Sequence, residues 1–287
     1  MLRFAANARR RHFSQLMYVL CALFTGLIIA VLGLVTLLML QKGLAYVSLD
    51  FFTKSPELND RGVLAGGMLN GIVGTLILIS LASIIGVPLG MLAGVFLSEY
   101  GQESWMGTPV RFVADVLTGV PSIVVGILGY ELVVVPMGTH SGWAGAFALA
   151  FIMIPIVART SEEMLKLVPQ SYREGSLALG ATKAQTILRV VLPSAAGSVV
   201  TGVMLAIARV SGETAPLLFT ALGVRFLVSD PSQPFPSLTV MIYNYARSPS
   251  PEQQNLAWAG ILVLLLILFA INLLTRLVAS RSVRRVA

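Results

Sequence analysis

The stretch LNGIVGTLILISLASIIGVPLGMLAGVFL occupies residues 69–97 and contains no charged side chain. A helix needs about 20 apolar residues to cross the hydrocarbon core of a bilayer, and this stretch is longer. Over the whole chain of 287 residues, 56% are hydrophobic and 11% are charged, whereas a soluble globular protein carries about 25% charged residues. The stretch therefore predicts a membrane-spanning helix in an all-α integral membrane protein.

Five further apolar regions flank this helix, so the sequence predicts six membrane-spanning helices. They run from Phe13 to Gln41, from Pro121 to Pro136, from Trp143 to Val157, from Ala195 to Leu222 and from Leu256 to Thr275. The first region follows a basic segment, as a cleaved signal peptide would. Its apolar stretch exceeds the 7–15 residues of a signal core, and we therefore predict a retained helix.

The distribution of Lys and Arg predicts the orientation of the chain. With the N-terminus in the cytoplasm, fourteen of the 20 Lys and Arg residues fall in cytoplasmic segments and five in outer loops, while Arg209 lies within a span. Because positive charge is retained on the cytoplasmic side, both termini are predicted to be cytoplasmic. The predicted parts are a tail at 1–16, a first helix at 17–41, an outer loop at 42–65, a permease domain at 66–276 and a tail at 277–287.

The residues needed for several kinds of chemistry are missing from the sequence. The chain has one cysteine, Cys21, and two histidines, His12 and His140, which lie far apart; no metal-ligand spacing results. No Gly-Lys-Ser/Thr phosphate loop is present. The sequence thus predicts neither a metal site nor an ATP site, and the net charge of +7 is read as membrane orientation rather than nucleic-acid binding.

The predicted cytoplasmic segment from Arg159 to Pro193 carries the signals of short helices. Ser171 and Glu174 have the spacing of a capping box, in which the two side chains satisfy orphan backbone N–H groups. Gly180 is placed to end that helix in a left-handed conformation. Thr182 and Gln185 predict a second capping box before Pro193.

Two ionisable residues, Arg209 and Glu213, interrupt the predicted fifth span. They are four residues apart and would share one helix face, at a depth where charge is costly and usually functional. Gly212 and Pro216 should loosen the helix there. Either the two side chains form an internal ion pair, or Arg209 contacts an anion in transit through its planar fork of donors. In the second case Glu213 would accept a hydrogen bond from a protonated phosphate.

Three other charged positions leave two interpretations open. Arg159, Glu162 and Glu163 lie at the cytoplasmic end of the fourth span. They either belong to a solvated helix end, at which Thr160 and Glu163 fit a capping box, or form a gate at the cytoplasmic mouth. Glu131, inside the third span, could reach a cavity or lie near the outer interface.

Two sets of residues resemble a known family. Glu174, Gly180, Val190, Leu192 and Pro193 are similar to the EAA motif of bacterial ABC importer permeases, with Gly175-Ser176 in place of Ala-Ala. From about Gly66 to Arg276 the chain resembles phosphate permease subunits of the PstA type, within the binding-protein-dependent type I permease family. The matching stretches are PSIVVG at 121–126, HSGWAG at 140–145, MLKLVP at 164–169, the GETAP of 212–216 and NLAWAG at 255–260.

The resemblance implies a function, a set of partners and two sets of site residues. It implies a type I importer permease that moves phosphate across the bacterial inner membrane by alternating access, without ATP or Mg²⁺ of its own. The implied partners are a second permease of the PstC type, two copies of a PstB-type ATPase, an external PstS-type phosphate-binding protein and membrane lipid. The implied substrate pathway comprises Arg159, Glu162, Arg209, Glu213 and Thr214. The implied ATPase-coupling helix, at about 171–181, includes Glu174, Gly175, Ser176, Gly180 and Ala181.

Other functions remain open at this level. The cargo could be sulfate, molybdate or another oxyanion, and a secondary transporter would need no ATPase at all. The proline-rich loop 224–255 and the loop 41–66 are either a docking face for the binding protein or simple connections.

Overall fold

A computed structural model describes residues 2–58, 64–102 and 104–283 of the chain. The N-terminal half contains α1 (Leu2–Leu44), α2 (Leu49–Thr53), β1 (Pro56–Leu58), β2 (Leu64–Gly66), α3 (Leu69–Glu99), α4 (Gly107–Gly119), α5 (Ser122–Gly129) and α6 (Val135–Met137). The C-terminal half contains α7 (Gly142–Lys166), α8 (Gln170–Ala178), α9 (Lys183–Thr186), α10 (Leu192–Ser211), α11 (Ala215–Thr220), α12 (Leu238–Ala246) and α13 (Pro251–Val283). The predicted orientation also counts Arg61, Arg284 and Arg285, and these three lie outside the described residues.

The predicted all-α membrane fold is confirmed, with a single two-stranded ribbon in the described residues. Strands β1 and β2 pair antiparallel over three residues each. Five helical segments are long and apolar enough to span a membrane: Phe13–Leu44, Leu69–Glu99, Gly142–Lys166, Lys183–Ser211 and Pro251–Leu273. A sixth span would be the bent pair Gly107–Gly119 and Ser122–Met137, whose axes meet at 104°. The boundary predicted after residue 16 falls inside α1.

Two π-helical turns adapt the membrane helices to prolines. Residues Tyr130–Val134 and Ile187–Val191 form these turns, and each ends two residues before a proline, Pro136 or Pro193. Proline has no N–H and its ring clashes with the carbonyl four residues earlier. The wider π-turn relieves this conflict while the helix continues. The helical segment that carries the fifth span therefore starts at Lys183, upstream of Ala195, where the predicted span began.

The predicted fifth helix, Ala195–Leu222, is wrong in its second half. Helix α10 ends at Ser211, and after a break the short helix α11 packs on α5. This contact is close, because a Cβ on Gly126 would lie 2.7 Å from the Cα of Pro216. Gly212 and Pro216 thus redirect the chain, where the sequence suggested only a loosened helix.

The centre of the fold is the packing of α3 along α7. Gly86, Gly90 and Gly94 follow each other at one-turn spacing on the face of α3 that touches α7. A Cβ on Gly90 would lie 2.7 Å from the Cβ of Val157 and 2.9 Å from the carbonyl oxygen of Ile154. Small residues allow two membrane helices to approach this closely, so that van der Waals contact holds them together.

Helix α1 stands apart from this core. The side chains of its apolar window are exposed along its length in the chain alone. It touches α13 near its C-terminal end, where Gly43 packs against Leu262 and Lys42 lies 5.0 Å from the ring centroid of Trp258. The exposed apolar surface is suited to lipid or to another membrane helix.

Replacing Gly90 by valine should separate α3 from α7. We expect the Gly90→Val variant to lose about 1–3 kcal/mol of unfolding free energy, the usual cost of overpacking, because backbone and Cβ atoms of α7 cannot move aside. The matched control is Gly33→Val in α1, where a Cβ has nothing within 4 Å. Thermal unfolding of both variants in detergent measures the effect. Equal melting temperatures for the two would contradict this account of the core.

Candidate functional site

A buried carboxylate, Glu162, gathers charged side chains at the C-terminal end of α7. Its side chain is 0% exposed. Oε1 accepts from Nε and Nη2 of Arg111, at 2.9 and 2.7 Å, and from Nζ of Lys166 at 2.5 Å. Oε2 accepts from Nη1 of Arg159 at 2.6 Å, and Nε of Arg159 lies 2.8 Å from Oδ1 of Asp115. We call these five residues the Glu162 cluster.

The charge balance of the Glu162 cluster is positive. Three cations face two carboxylates, and the cations are partly exposed, with Arg111 at 29%, Arg159 at 26% and Lys166 at 39%. Both oxygens of Glu162 are satisfied by donors, as a buried charge requires. The cluster therefore joins α4 to α7 and presents excess positive charge at its surface.

The cluster corrects one prediction and adds residues that the sequence did not reveal. Thr160 caps no helix, because it lies inside α7 and its hydroxyl donates to the carbonyl of Ile156 at 2.8 Å. The predicted Thr160–Glu163 capping box is therefore wrong, and Glu163 is exposed. Arg111 and Asp115 were missed because α4 precedes Glu162 by about fifty residues, and no local spacing connects them.

Arg209 and Glu213 do not share a helix face, contrary to the prediction. Arg209 lies in the last turn of α10, where a cation is favoured by the helix dipole. Glu213 lies beyond the helix end in the break before α11, because Gly212 stops the α-helical pattern. Within the described part of the chain neither side chain forms a salt bridge or a hydrogen bond, so the internal ion pair is excluded there.

An exposed polar stripe on α10 leads to Arg209. The exposed positions on this face are Ser194, Ser198, Thr201, Leu205 and Arg209, which repeat at the three- and four-residue spacing of one helix face. Four of the five are polar, although the helix is otherwise apolar. A lipid-facing surface would carry apolar residues, so this stripe is suited to water or to a polar partner. Its spacing is visible in the sequence and could have been used to predict it.

The polar stripe and the Glu162 cluster lie on neighbouring, antiparallel helices. A Cβ on Gly202 of α10 would lie 2.8 Å from the side chain of Thr160, the residue after Arg159. Arg209 is seven residues beyond Gly202, which is about 10 Å along a helix axis. Beyond Arg209, Thr214 and Glu213 are partly exposed, and the backbone oxygen of Glu213 accepts from Thr239 Oγ1 at 3.1 Å.

The loop after α7 forms a second candidate surface. Helix α8 begins at Gln170 with Pro169 as its N-terminal boundary and no side-chain cap, so the predicted Ser171–Glu174 capping box is wrong. Ser171 already lies in the first helical turn and cannot cap it. The left-handed stop at Gly180 is confirmed by its φ of +84°, and the Thr182–Gln185 capping box is confirmed.

We call the segment 167–182, which contains α8, the α8 loop. It exposes apolar side chains, while hydrogen bonds hold its base. Leu179 is 90% exposed, Tyr172 56% and Leu177 47%, and Glu174, Gly175 and Gly180 are exposed beside them. Ser176 bonds the hydroxyl of Thr186 at 2.9 Å, and the backbone N–H of Ala181 donates to Ser176. An exposed leucine on a fixed support is typical of a protein-docking surface.

Arg173 anchors this loop to the body of the chain. Its guanidinium donates to both carboxylate oxygens of Glu99, at 3.2 and 2.8 Å, and to the carbonyl oxygens of Leu165 and Val168. The side chains of Arg173 and Glu99 are 13% and 6% exposed. Such bidentate, charge-assisted contacts are among the stronger hydrogen bonds in proteins, so α8 is joined to the ends of α3 and α7.

The remaining predicted positions take no part in either surface. Glu131 is exposed within the π-turn Tyr130–Val134 and forms no salt bridge in the described residues. The described part of the chain contains no group of three or more His, Cys, Asp or Glu side chains placed to bind a metal.

The sequence is similar to a family of membrane transport components and to several of its members. Residues 86–285 match the family described as binding-protein-dependent transport system inner membrane component. The phosphate transport system permease protein PstA of Yersinia pestis is 46% identical over 84% of this chain and 81% of its own length. The protein of the same name from Haemophilus influenzae is 45% identical over 83% and 84%. A probable phosphate transport permease PstA of Methanocaldococcus jannaschii is 42% identical over 72% and 73%.

A solved structure has a similar fold. A chain of the MetNI methionine ABC transporter, in an inward-facing conformation, aligns with a TM-score of 0.61 over 74% of this chain and 93% of its own length. The sequence identity is 19%, so this likeness concerns the arrangement of helices alone.

Neutralising Glu162 should destabilise the chain strongly. We expect Glu162→Gln to lose about 3–5 kcal/mol of unfolding free energy, the range measured when one partner of a buried ion pair is removed, because three cations would then converge with only the exposed carboxylate of Asp115 beside them. The matched control is Glu163→Gln, the neighbouring exposed residue, which should unfold like the parent. Thermal unfolding in detergent distinguishes the two. An unchanged melting temperature for Glu162→Gln would show that the cluster does not hold α4 to α7.

Proposed function

Because the chain belongs to the family of binding-protein-dependent transport system inner membrane components, with PstA-type phosphate permeases as its relatives, we propose that it is the membrane permease subunit of an ATP-driven phosphate importer. The proposal covers an inner-membrane, multi-pass protein that performs no covalent chemistry. ATP hydrolysis belongs to a separate subunit, and a second permease completes the channel. The identity of 42–46% with the PstA proteins described above supports phosphate as the cargo.

The observation that carries this proposal is the unpaired guanidinium of Arg209. It is exposed on a membrane helix and forms no salt bridge within the described part of the chain. A cation in an apolar span requires water, an anion or a partner residue. The polar stripe of α10 supplies a wet face beside it, and the fork of guanidinium donors fits phosphate oxygens.

The neighbouring residues complete the proposed substrate pathway. Glu213 and Thr214 follow Arg209 at the helix break and can accept hydrogen bonds from a protonated phosphate. A sulfate dianion carries no proton and cannot donate such a bond. The Glu162 cluster continues the path along α7, where the excess positive charge of Arg111, Arg159 and Lys166 favours an anion. In this proposal Arg159 and Glu162 border the pathway, while Glu162 also holds the cations in place.

The α8 loop is the proposed coupling surface for the ATPase. Glu174, Gly175 and Gly180 lie at the surface of this loop beside the exposed Leu179, and Ser176 and Ala181 form its base. When two ATPase subunits bind ATP and close, the loop would move and switch the cavity between two permeases from inward-facing to outward-facing. The proposed partners are a PstC-type permease, two PstB-type ATPases with their ATP and Mg²⁺, and an external PstS-type binding protein.

The proposed orientation places both termini and the α8 loop in the cytoplasm. The excess of Lys and Arg in those segments supports this orientation. The loops on the other side, 42–65 and 224–255, would then face the binding protein.

Removing the charge of Arg209 should stop phosphate uptake. We expect Arg209→Gln to lower the initial uptake rate tenfold or more, since a hydrogen bond between charged groups contributes about 1.5–3 kcal/mol and a factor of ten corresponds to 1.4 kcal/mol. Radiolabelled phosphate uptake, in cells that lack their own phosphate importer, gives the rate. The matched control is Arg11→Gln, an exposed arginine of α1, which should transport normally.

The same assay tests the identity of the cargo. Radiolabelled sulfate should not be taken up, because Glu213 would repel an anion that brings no proton. Sulfate uptake at the rate of phosphate uptake would favour a general oxyanion importer. Parental uptake by Arg209→Gln, at normal abundance in the membrane, would refute the pathway.

Changing Leu179 should uncouple the chain from its ATPase without unfolding it. Its side chain is 90% exposed and supports nothing within the chain, whereas a central apolar contact often dominates an interface. We expect Leu179→Gln to reduce copurification of the ATPase subunit and ATP-driven uptake by tenfold or more, with no change in melting temperature. The matched control for copurification is Leu49→Gln, 83% exposed in α2 on the other side of the membrane, which should retain the ATPase subunit. Normal copurification with Leu179→Gln would place the docking surface elsewhere.

A further inference from the structure

A separate polar cavity lies between α12, the loop after α11 and the start of α13. Its volume is ≈ 390 Å³, and its polar side chains belong to Arg225, Asn244, Tyr245, Ser248 and Gln253. These residues lie between the fifth and sixth spans, except for Gln253 in the first turn of the sixth, whereas the α8 loop lies between the fourth and fifth. The cavity therefore opens on the face of the chain opposite to the coupling surface, and it shares no residue with the polar stripe or the Glu162 cluster.

Every polar side chain around this cavity can donate a hydrogen bond. Arg225 is a cation, and Asn244 and Gln253 carry amide NH₂ groups. The hydroxyl oxygen of Ser248 accepts from the backbone N–H of Ser250 at 3.1 Å, which leaves its own proton free to donate. None of the described residues that line the cavity is acidic. A set of donors with one full positive charge and no carboxylate is suited to an anion.

Tyr245, which lines this cavity, carries a buried hydroxyl without a partner among the described residues. Its side chain is 6% exposed, and its hydroxyl has no hydrogen-bond partner in the described part of the chain. Burial raises the pKa of Tyr245 to about 12, although the nearby charge of Arg225 lowers it somewhat. The hydroxyl thus keeps its proton at neutral pH. Buried polar groups are nearly always hydrogen-bonded, so a ligand that accepts from this hydroxyl would complete the site.

The loop that carries Arg225 is held in place. The buried side chain of Asn70, on α3, donates to the carbonyl oxygens of Val224 and Arg225 at 3.1 and 2.9 Å. The turn before it contains Leu222 and Gly223, both with positive φ. The backbone of Arg225 is therefore held by the core of the fold before any ligand arrives, while its exposed side chain stays free to turn to an anion.

We propose that this cavity binds a tetrahedral oxyanion, inorganic phosphate in the working transporter, on the face of the chain where substrate enters. The choice of phosphate and of the entry face rests on the proposed function, while the anion chemistry rests on the cavity itself. Because no carboxylate lines it, the cavity should bind phosphate and sulfate alike. Selection for phosphate would then occur further along the path, at Glu213.

Phosphate binding to the purified full-length chain tests this site. The measurement is equilibrium dialysis of radiolabelled phosphate in detergent, performed in an Arg209→Gln background so that the proposed pathway site contributes little. We expect Tyr245→Phe to weaken phosphate binding about tenfold and to leave the melting temperature unchanged or higher, because the lost hydroxyl had no partner. Arg225→Gln should weaken binding at least as much. Unlabelled sulfate should displace the bound phosphate.

The matched control is Tyr243→Phe on the same helix. The hydroxyl of Tyr243 accepts from Nη1 of Arg247 at 2.6 Å, and its side chain is 38% exposed; neither residue lines the cavity. This variant should bind phosphate with the parental affinity.

Parental phosphate affinity in Tyr245→Phe and Arg225→Gln would overturn the site. So would a loss of binding that appears only together with a lower melting temperature. Neither outcome affects the uptake measurement on Arg209→Gln in an otherwise unchanged chain, so the proposed function can stand when this inference fails.

Discussion

The close approach of α3 to α7 is the constraint on which the other features depend. At Gly94 a side chain has no room, because the Cβ of Ser161, the carbonyl oxygen of Ala158 and the backbone nitrogen of Glu162 would lie 2.6, 2.8 and 3.2 Å from its Cβ. The same contact that joins the two helices therefore buries the backbone of Glu162. Once that carboxylate is removed from water, it requires donors, and Arg111, Arg159 and Lys166 supply them. Helix α4 is thus held by a carboxylate whose backbone lies in the close contact of α3 with α7.

The charged residues of the spans divide into two groups by their pairing. Glu162 is fully buried and has all its acceptors occupied, so its first effect is on the fold. Arg209 is exposed and unpaired within the described part of the chain, so it contributes little to the folded monomer and is available to something outside it. The same reasoning separates Tyr245, which is buried without a partner, from Tyr243, whose hydroxyl is satisfied. Groups that the chain leaves unsatisfied are where a ligand or a partner subunit is expected.

Sequence reasoning predicted the features that depend on local composition and missed those that depend on tertiary contact. The spans follow from hydropathy, Gly180 from its need for a positive φ, and the Thr182–Gln185 box from its spacing. Ser171–Glu174 has the same spacing but forms no box. Helix α8 begins at Gln170 after Pro169, so Ser171 already lies inside the first turn and cannot cap it. Arg209 and Glu213 were recognised as unusual, yet their geometry was wrong, since the helix stops at Gly212. Arg111, which binds Glu162, and Asp115, which binds Arg159, have no signal in the sequence, because only the packing of α4 on α7 brings them there.

The contacts of the α8 loop with the body of the chain would carry a small movement of that loop to the proposed substrate pathway. Arg173 lies in α8, and its guanidinium donates to Glu99 at the end of α3. It also donates to the carbonyl oxygens of Leu165, in the last turn of α7, and of Val168, just beyond that turn. Lys166, next to Leu165, donates to Glu162. A displacement of α8 would therefore act on the last turn of α7 and on the Glu162 cluster, because direct hydrogen bonds connect them. Since α3 and α7 are joined by the glycine contacts, they should move as one body, and α10, which packs against α7, carries the polar stripe and Arg209 on its exposed face.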